Sequence, residues 1–385
     1  MTRRTFLAAA ALLPAARAAS AAPPFVLGLY QLPKSGDPWR EAADAGFNLV
    51  HVDGTREQLD LAQRNRLRAW VTVGSVSPSN RAGDEARIRG IVQKLKDHPA
   101  LLFWETEDEP SYQWKKAGPR IPAEQIVATY RFVKSLDPRH PIYLNHAPTN
   151  LVGTLRQYNP GADIVATDIY PVIPHGIREE YALWPDGMQG DLTDTTIGQV
   201  GGYARKMRQV AGSERSVFLV LQAFAWENLR ERDRNPAMVL YPTRAQMRFM
   251  TWDAIVQGVN GVLYWGLSFT PADAPLWPDL KAVAAEVRQF LPELAAPPAP
   301  LKLALDYHDT GHSLDRGVEW IARRGSEGLR IFAINADRNP VDVTFSGLPA
   351  FSRCEARLES RMLDVRNRAF RDTFQPFDVH IYSLY

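Results

Sequence analysis

The sequence predicts an α/β fold, a (β/α)8 TIM barrel followed by a small C-terminal antiparallel β-sandwich. Eight short apolar runs alternate with amphipathic stretches between residues 25 and 294, as expected for repeated strand–helix units. A proline-rich break then leads into a region of short strands and polar turns. A doubly wound open sheet is the alternative. It would usually carry a glycine-rich phosphate loop after its first strand, and this sequence has none there.

The predicted barrel strands combine an apolar run with polar or aromatic residues at the C-terminal end. They are Phe25–Tyr30, Asn48–Asp53, Leu67–Gly74, Leu101–Thr106, Pro141–His146, Ile164–Tyr170, Val217–Gln222 and Gly261–Leu267. Amphipathic patterns predict helices at Pro38–Ala45, Arg56–Asn65, Glu85–Asp97, Ala123–Leu136, Ile197–Val210, Arg244–Gln257 and Leu280–Leu291. The link after the fifth strand, Leu151–Tyr158, is short, and eight strands with their connecting segments in about 270 residues match a closed barrel.

The chain divides into four predicted segments: an export signal at 1–21, the barrel at 22–295, a proline-rich linker at 296–300 and the sandwich at 301–385. Proline fixes the backbone φ angle, so the linker is expected to be stiff. After it, short runs between polar turns predict strands at Val318–Arg323, Leu329–Asn335, Val341–Phe345, Arg353–Leu358 and His380–Leu384.

The N-terminus carries paired arginines, Arg3 and Arg4, just before a short apolar run, Phe6–Leu13. Small residues follow, with candidate cleavage sites after Ala18 and Ala21. This pattern is typical of a twin-arginine export signal, and the apolar run is too short to span a bilayer. We therefore expect a periplasmic or extracellular protein with no membrane span after signal removal.

The net charge and the cysteine count exclude several classes of binding partner and cross-link. The formal net charge is +2 over 385 residues and no long basic run is present, so neither nucleic acid nor an anionic membrane is expected to bind. The single cysteine, Cys354, excludes an internal disulfide. His308 and His312 lie four apart, but the intervening Asp-Thr-Gly interrupts a helix, so the sequence predicts no metal site and no cofactor. It indicates no oligomeric state.

Strand 4 ends in a cluster of acids. The apolar start of Leu101–Thr106 fits burial. Four carboxylates, however, crowd its end: Glu105, Glu107, Asp108 and Glu109. Pro110 follows them. Like charges this close raise one another's pKa, which favours a catalytic site over a structural strand end. Active sites of (β/α)8 barrels lie at this end of the strands. An acidic loop that is merely solvated is the alternative.

The other strand ends supply carboxylates, amides and aromatic rings. Carboxylates and amides bind sugar hydroxyls, and flat aromatic faces pack on the apolar side of a sugar ring. The mixture therefore predicts an oligo- or polysaccharide substrate. The predicted substrate-binding residues are Tyr30, Asp53, Glu107, Asn145, Tyr170, Gln222, Trp226 and Trp265.

The segment Trp104–Pro110, with its Asp-Glu-Pro, resembles the Asn-Glu-Pro motif that ends strand 4 in clan A glycoside hydrolases. The resemblance implies that Glu109 is the general acid/base. Where the clan has an asparagine that contacts the sugar 2-hydroxyl, this chain has Asp108. A closer likeness is to secreted barrel proteins with Asp-Glu-Pro at this place, and it spans about residues 25 to 290. Its other matching residues are Gln222, Tyr241-Pro242-Thr243 and the stretch from Gly258 to Trp265.

The clan's nucleophile, a glutamate at the end of strand 7, corresponds here to Gln222, and a neutral amide cannot attack an anomeric carbon. Glu227 could reach back from the loop, Asp168 could supply the second carboxylate, or the substrate could supply its own nucleophile as in chitinase-type enzymes. We expect a secreted glycoside hydrolase acting by carboxylate general acid/base catalysis. The candidate catalytic residues are Glu109, Asp108, Asp168 and Glu227. A catalytically inactive carbohydrate-binding barrel and a metal-dependent barrel hydrolase are the alternatives.

Overall fold

A computed structural model describes residues 25–112, 118–174, 194, 196–308, 311–325 and 328–385, so the predicted export signal lies outside the described residues. The predicted (β/α)8 barrel is confirmed, because eight parallel strands, β1–β8, close into a barrel in chain order. Pairing of β1 with β8 closes the sheet. The strands are Val26–Leu29, Leu49–Val52, Arg68–Thr72, Leu101–Asp108, Ile142–His146, Ile164–Ile169, Ser216–Gln222 and Gly261–Trp265.

Side chains of the barrel strands alternate between the interior and the helical layer, because successive residues of a strand point to opposite faces. In β7, Phe218 and Val220 belong to the interior core, whereas Leu219 and Leu221 pack in the outer core. Aromatic rings fill the interior, with centroids 5.3–5.6 Å apart along Trp70, Phe103 and Tyr143. The barrel is therefore closed below its mouth, and a site can form only at the strand ends.

The helices form the outer layer. Seven of those described lie within about four residues of predicted bounds, whereas the short helices Val152–Arg156 and Leu291–Ala295 are not among the predicted ones. The described helices are α1 Pro38–Ala45, α2 Arg56–Arg64, α3 Arg81–Leu95, α4 Ala123–Leu136, α5 Val152–Arg156, α6 Gln199–Ala211, α7 Arg244–Val256, α8 Leu276–Arg288 and α9 Leu291–Ala295. A capping box of Thr243 and Gln246 starts α7. Gly46 ends α1 with φ of 109°, where a side chain would collide with Arg288. Within the part of the chain that is described, no helix is long and apolar enough to cross a membrane.

The C-terminal antiparallel sandwich is also confirmed, with a five-stranded sheet, β10-β11-β16-β13-β14, and a three-stranded sheet, β15-β12-β9. The strands β9 to β16 are Ala304–His308, Val318–Gly325, Gly328–Asn335, Val341–Ser346, Cys354–Ala356, Arg361–Leu363, Ala369–Phe374 and Val379–Leu384. Three of them, β9, β14 and β15, are not among the predicted strands. No residue of β9 or β14 is buried, and β15 alternates buried residues with exposed polar ones, so none has a continuous apolar run.

Helix α7 joins the barrel to the sandwich. Trp252 stacks on Phe332 of β11 with ring centroids 5.1 Å apart. Beside it, the buried Asp253 pairs with Arg316 at 3.0 Å. Removing one partner of such a buried pair typically costs about 3–5 kcal/mol. The proline-rich segment predicted as a linker runs along β10, because the Ala299 N–H donates to the Ala322 carbonyl at 3.0 Å.

Candidate active site

The end of β4 departs from regular strand geometry. Its pairing with β5 shifts register between Glu105 and Asp108, which turns the acidic residues out of the strand's alternation. Glu109 follows with φ of 43°, a left-handed backbone that is uncommon for a residue other than glycine. Its N–H donates to the Asn145 carbonyl at 3.0 Å and fixes this conformation. Strain that neighbouring structure holds in place is typical of functional sites.

Glu109 and Asp168 form a carboxyl pair at the barrel mouth. Their side chains hydrogen-bond to each other, which requires that one of the two carries a proton. Burial, followed by the charges of Asp168 and Asp108, raises the pKa of Glu109 well above its ordinary value. Burial and the charge of Asp108 also raise the pKa of Asp168, but the hydrogen bond from Glu109 opposes that rise. The pKa values of both carboxyls are therefore raised, and the pair shares one proton.

Asn145, in β5, links this pair to Asp108. Asn145 Nδ2 donates to Asp108 Oδ1 at 2.9 Å and to Asp168 Oδ1 at 3.1 Å, so two carboxyls meet at one nitrogen. Burial raises the pKa of Asp108, and the hydrogen bond from Asn145 counteracts this. Asn145 itself is buried, and its Oδ1 accepts no hydrogen bond from the described residues. Its amide thus arranges the carboxyls from below.

A fully buried carboxyl, Glu105, lies at the floor of the mouth and is only 2% exposed. Its Oε2 accepts from Trp70 Nε1 at 3.0 Å and from Thr72 Oγ1 at 2.7 Å, and its Oε1 accepts from the Tyr30 hydroxyl at 3.3 Å. Burial, followed by the charge of Asp108, raises the pKa of Glu105 to about 7, although the three hydrogen bonds lower it. The predicted substrate-binding Tyr30 thus belongs to this floor network.

Two further members of the floor are absent from the sequence prediction, His51 and Tyr143. His51 Nε2 lies 2.9 Å from Thr72 Oγ1, and the Tyr143 hydroxyl lies 2.8 Å from that of Tyr30. Burial lowers the pKa of His51 to about 4, so the ring is neutral and its 4.0 Å approach to Glu105 is not an ion pair. Each lies two residues before a predicted site residue on the same strand. Extending the strand alternation inward would have found both.

An aromatic wall, formed by Tyr170, Phe224, Trp226 and Trp265, borders the pair on the β6–β8 side. Tyr170 stacks on Trp265 with centroids 5.6 Å apart and an angle of 24°. Phe224 meets both rings edge-on at 5.0 and 5.1 Å, and Trp226 Nε1 donates to the Tyr170 carbonyl at 3.2 Å. Burial, followed by the charge of Asp168, raises the pKa of Tyr170, which places the wall close to the carboxyl pair.

Gln222, at the strand 7 position where clan A enzymes carry the nucleophile, is fully buried. Its Oε1 accepts from the Val172 N–H at 2.9 Å, and its Nε2 donates to the carbonyls of Val172 and Phe224 at 3.0 Å each. The side-chain amide therefore braces the loop that follows β6. Gln222 is therefore not exposed at the barrel mouth.

Three predicted acids also have partners outside the pair. Glu227 is 1% exposed, and its carboxylate binds Arg230 at 3.2 Å and the Asn235 N–H at 2.6 Å within its own loop. The exposed Asp53 accepts from Gln58 Nε2 at 3.0 Å. Glu107 accepts from Ser75 Oγ at 2.7 Å and pairs with Arg120 at 3.3 Å. Of the acids predicted as catalytic, the structure brings Asp108, Glu109 and Asp168 together.

The described residues contain no group of three or more His, Cys, Asp or Glu side chains placed to hold a metal ion. His308 and His312, whose spacing in the sequence is compatible with a metal site on a helix, have separate partners in the structure. His308 Nε2 lies 2.9 Å from Thr344 Oγ1, and His312 Nε2 lies 2.7 Å from the Pro340 carbonyl oxygen.

Solved structures of glycoside hydrolases share this fold. A GH27 β-L-arabinopyranosidase from Geobacillus stearothermophilus is 10% identical with a TM-score of 0.57, over 94% of this chain and 97% of that one. An α-amylase from Geobacillus thermoleovorans is 9% identical with a TM-score of 0.55, over 94% and 98%. A GH30 endoxylanase from Clostridium papyrosolvens is 11% identical with a TM-score of 0.51, over 94% and 97%.

No protein-family model and no curated protein matches the chain in sequence. At 9–11% identity the likeness to these structures is one of fold. Because the alignments cover 94% of the chain, they extend over the barrel and the sandwich together. The chain thus has the (β/α)8 barrel fold that these solved glycoside hydrolases share.

Proposed function

We propose that this protein is an exported glycoside hydrolase that cleaves an oligo- or polysaccharide by general acid/base catalysis, with Glu109 as the acid. The observation that carries the proposal is the hydrogen-bonded pair of Glu109 and Asp168 at the barrel mouth. Glycoside hydrolysis needs one carboxyl that is protonated at the working pH and another that is ionised. A pair that shares one proton supplies both states, and we assign that proton to Glu109.

The pair's chemistry follows the charge that develops in the reaction. Glu109 gives its proton to the leaving oxygen as the glycosidic bond breaks and positive charge builds on the sugar ring. The ionised Asp168 lies beside that charge and stabilises it. Glu109, now a carboxylate, then takes a proton from the incoming water. Asn145 holds Asp168 in place through its 3.1 Å hydrogen bond, and the backbone strain at Glu109 fixes the direction of the acid.

The aromatic wall supports a carbohydrate substrate. Tyr170 and Trp265 present stacked rings next to the carboxyl pair, and sugar rings pack their apolar faces on such surfaces. The solved structures that share the fold include an amylase bound to acarbose and an arabinopyranosidase bound to arabinose. Fold alone does not give function, so the pair and the wall carry the argument.

A glycan panel assayed with wild type and Glu109→Gln tests the proposal. Losing general acid catalysis typically costs about 10²–10⁴-fold, so turnover of an unactivated glycoside should fall by that factor while binding by calorimetry persists. Glu107→Gln is the matched control, since Glu107 lies on the same strand end but binds Ser75 and Arg120. Its turnover should stay within about threefold of wild type.

The same panel separates the alternatives. An inactive carbohydrate-binding barrel would bind glycans equally as wild type and as Glu109→Gln, and neither protein would turn them over. A metal-dependent hydrolase would lose its activity in chelator, whereas a carboxyl acid/base site would keep it. Full activity of Glu109→Gln would remove the assignment of the acid.

Export is the second part of the proposal, and the paired arginines before the short apolar run carry it. The twin-arginine route requires that pair, so changing Arg3 and Arg4 together to Lys should retain precursor in the cytoplasm. Fractionation and immunoblotting of a bacterial host would measure this. Unchanged export of the double variant would contradict the twin-arginine route.

A further inference from the structure

We infer that the substrate carries a 2-acetamido group whose carbonyl oxygen attacks the anomeric carbon, with Asp168 holding the acetamide N–H. This inference rests on the proposed function and adds to it the substrate class and the nucleophile. The observations behind it are the contact between Glu109 and Asp168, the locked side chain at the end of β7, and the groups that surround Asp168.

The contact between the two carboxyls sets the first constraint. Enzymes with two catalytic carboxylates place them about 5–5.5 Å apart for retention or about 6.5–9.5 Å apart for inversion, on opposite faces of the sugar. Glu109 and Asp168 are in direct hydrogen-bond contact, so a sugar ring cannot lie between them. Both groups must act from one side. Asp168 therefore serves as a partner of the acid and of the charge, and the attacking group comes from elsewhere.

The end of β7, across the mouth, is committed to another task. Gln222 bridges β7 to the loop after β6 with three hydrogen bonds to backbone groups of Val172 and Phe224. Glu227 is bound by Arg230 and by the Asn235 N–H. Releasing either side chain to attack a sugar would leave buried polar groups without partners, which is unfavourable.

The surroundings of Asp168 fit an acetamide. Its carboxylate accepts the hydrogen bond from Glu109 in the resting protein, and an acetamide N–H is the same kind of donor. When the N–H replaces Glu109 as that donor, the Glu109 proton becomes free for the leaving oxygen. Burial, followed by the charge of Asp168, raises the pKa of Tyr170, so the Tyr170 hydroxyl lies near that carboxyl. In the bound state this hydroxyl is the donor for the acetamide oxygen. The stacked rings of Tyr170 and Trp265 offer an apolar surface to the methyl group.

The reaction balances as two displacements. First the acetamide oxygen bonds to the anomeric carbon, the bond to the leaving oxygen breaks, and Glu109 transfers its proton to that oxygen. The product is a cyclic oxazolinium ion whose N–H is held by Asp168. Water then bonds to the anomeric carbon and gives a proton to Glu109. The bond between the anomeric carbon and the acetamide oxygen breaks, which restores the acetamide. One water is consumed, no oxidant is needed, and the anomeric configuration is retained.

Paired aryl glycosides test this inference. The set contains 2-acetamido-2-deoxy and 2-hydroxy glycosides in gluco, galacto and manno configurations, as both anomers. We expect hydrolysis of an acetamido member and a kcat/KM at least about 10²-fold lower for its 2-hydroxy counterpart. Replacing acetyl by trifluoroacetyl weakens the carbonyl as a nucleophile, so kcat/KM should fall again by about 10²-fold. Tyr170→Phe, which keeps the ring, should cost up to about tenfold on the acetamido member alone.

A second probe distinguishes failure of this inference from failure of the proposed function. With a 2-deoxy-2-fluoro glycoside of the active configuration, mass spectrometry should find no covalent glycosyl adduct on the protein. An adduct on any carboxylate, or equal hydrolysis of the acetamido and 2-hydroxy members, would overturn the acetamide nucleophile and leave the glycosidase assignment intact. No hydrolysis of any glycoside in the set or of the glycan panel would overturn both.

Discussion

Two carboxyls at the end of the same strand, the buried Glu105 and the half-buried Glu109, differ in how their hydrogen bonds are satisfied. At the floor, Glu105 accepts from one ring N–H and two hydroxyls. At the rim, the partner of Glu109 is a second carboxyl, Asp168, so the two groups share a proton. Burial is the largest cause of a raised pKa at both places. A raised pKa alone therefore does not identify an acid catalyst, and the hydrogen-bond partners separate the two roles.

The difference also separates support from chemistry. The floor network connects Tyr30 at the end of β1, Trp70 in β3 and Glu105 in β4, so it ties strands together beneath the cleft. The donors of this network are already hydrogen-bonded to Glu105, which is buried. The rim pair is linked to Asn145 from below, and its shared proton can be handed to a bound group. Substitutions that keep side-chain shape but remove one charge should therefore affect the two sites differently.

The largest effect is expected at the rim, from Asp168→Asn. Its charge is one cause of the raised pKa of Glu109, so removing it lowers that pKa. A general acid works until the pH passes its pKa, so the basic limb of the kcat/KM profile should move to lower pH. Loss of the charge that stabilises the transition state should also lower the plateau by on the order of 10²-fold. A pH profile from initial rates on a hydrolysed glycoside measures both.

Asp108→Asn is the control for this variant, because Asp108 binds the same Asn145 nitrogen. Its charge contributes to the pKa of Glu109 after that of Asp168, so the basic limb should move less. An unchanged basic limb in Asp168→Asn would show that the pair does not share its proton in solution.

At the floor, Glu105→Gln should change stability rather than the shape of the rate profile. The pKa of Glu105 is raised from its ordinary 4.5 to about 7 in the folded state. Its contribution to stability is therefore fully present below about pH 4.5 and is lost as the pH rises through about 7. The wild type should lose roughly 3 kcal/mol more than the variant between about pH 4.5 and pH 8. Urea unfolding across that range measures the difference.

Thr72→Val serves as the companion variant, because it removes a donor to Glu105 without touching the carboxyl. It should raise the pKa of Glu105 further, since that hydrogen bond lowers it. The loss of stability should then occur at higher pH than in wild type. If the unfolding free energies of wild type and Glu105→Gln changed by the same amount across the pH range, the raised pKa of Glu105 would be contradicted.

The barrel and the position of Glu109 at a strand end could be predicted because their signals are local. Eight apolar runs mark the strands, and the Asp-Glu-Pro sequence marks Glu109 at the end of β4. The roles of Gln222 and Glu227 could not be predicted in this way. Gln222 is taken up by the backbone of a loop 50 residues earlier in the chain, and Glu227 by its own loop. Such competition for a side chain depends on the path of loops, which periodicity does not describe.

The pairing of Glu109 with Asp168 lies between these cases. The sequence places both at strand ends, but whether two carboxyls meet depends on the register shift in β4 and on the left-handed φ of Glu109. Neither feature has a marker such as glycine at that position. The floor residues His51 and Tyr143 lie inside their strands rather than at the ends, so the pattern of strand ends does not predict them. His51, for example, lies within β2, two residues before Asp53.

The smallest effect is expected from Asp53→Asn, which tests whether a carboxyl at a strand end is sufficient. Asp53 follows β2 as Asp168 ends β6, but it is exposed and its contacts are with Gln58 at the start of α2. An amide can still accept the hydrogen bond from Gln58 Nε2, so unfolding free energy should change by less than about 0.5 kcal/mol. Because no shared proton is involved, kcat/KM should stay within about twofold of wild type and the basic limb should not move. Assayed beside Asp168→Asn, the variant isolates carboxyl pairing from carboxyl position. A loss above about tenfold would instead make Asp53 a substrate contact, since one hydrogen bond to a charged group is worth about 1.5–3 kcal/mol.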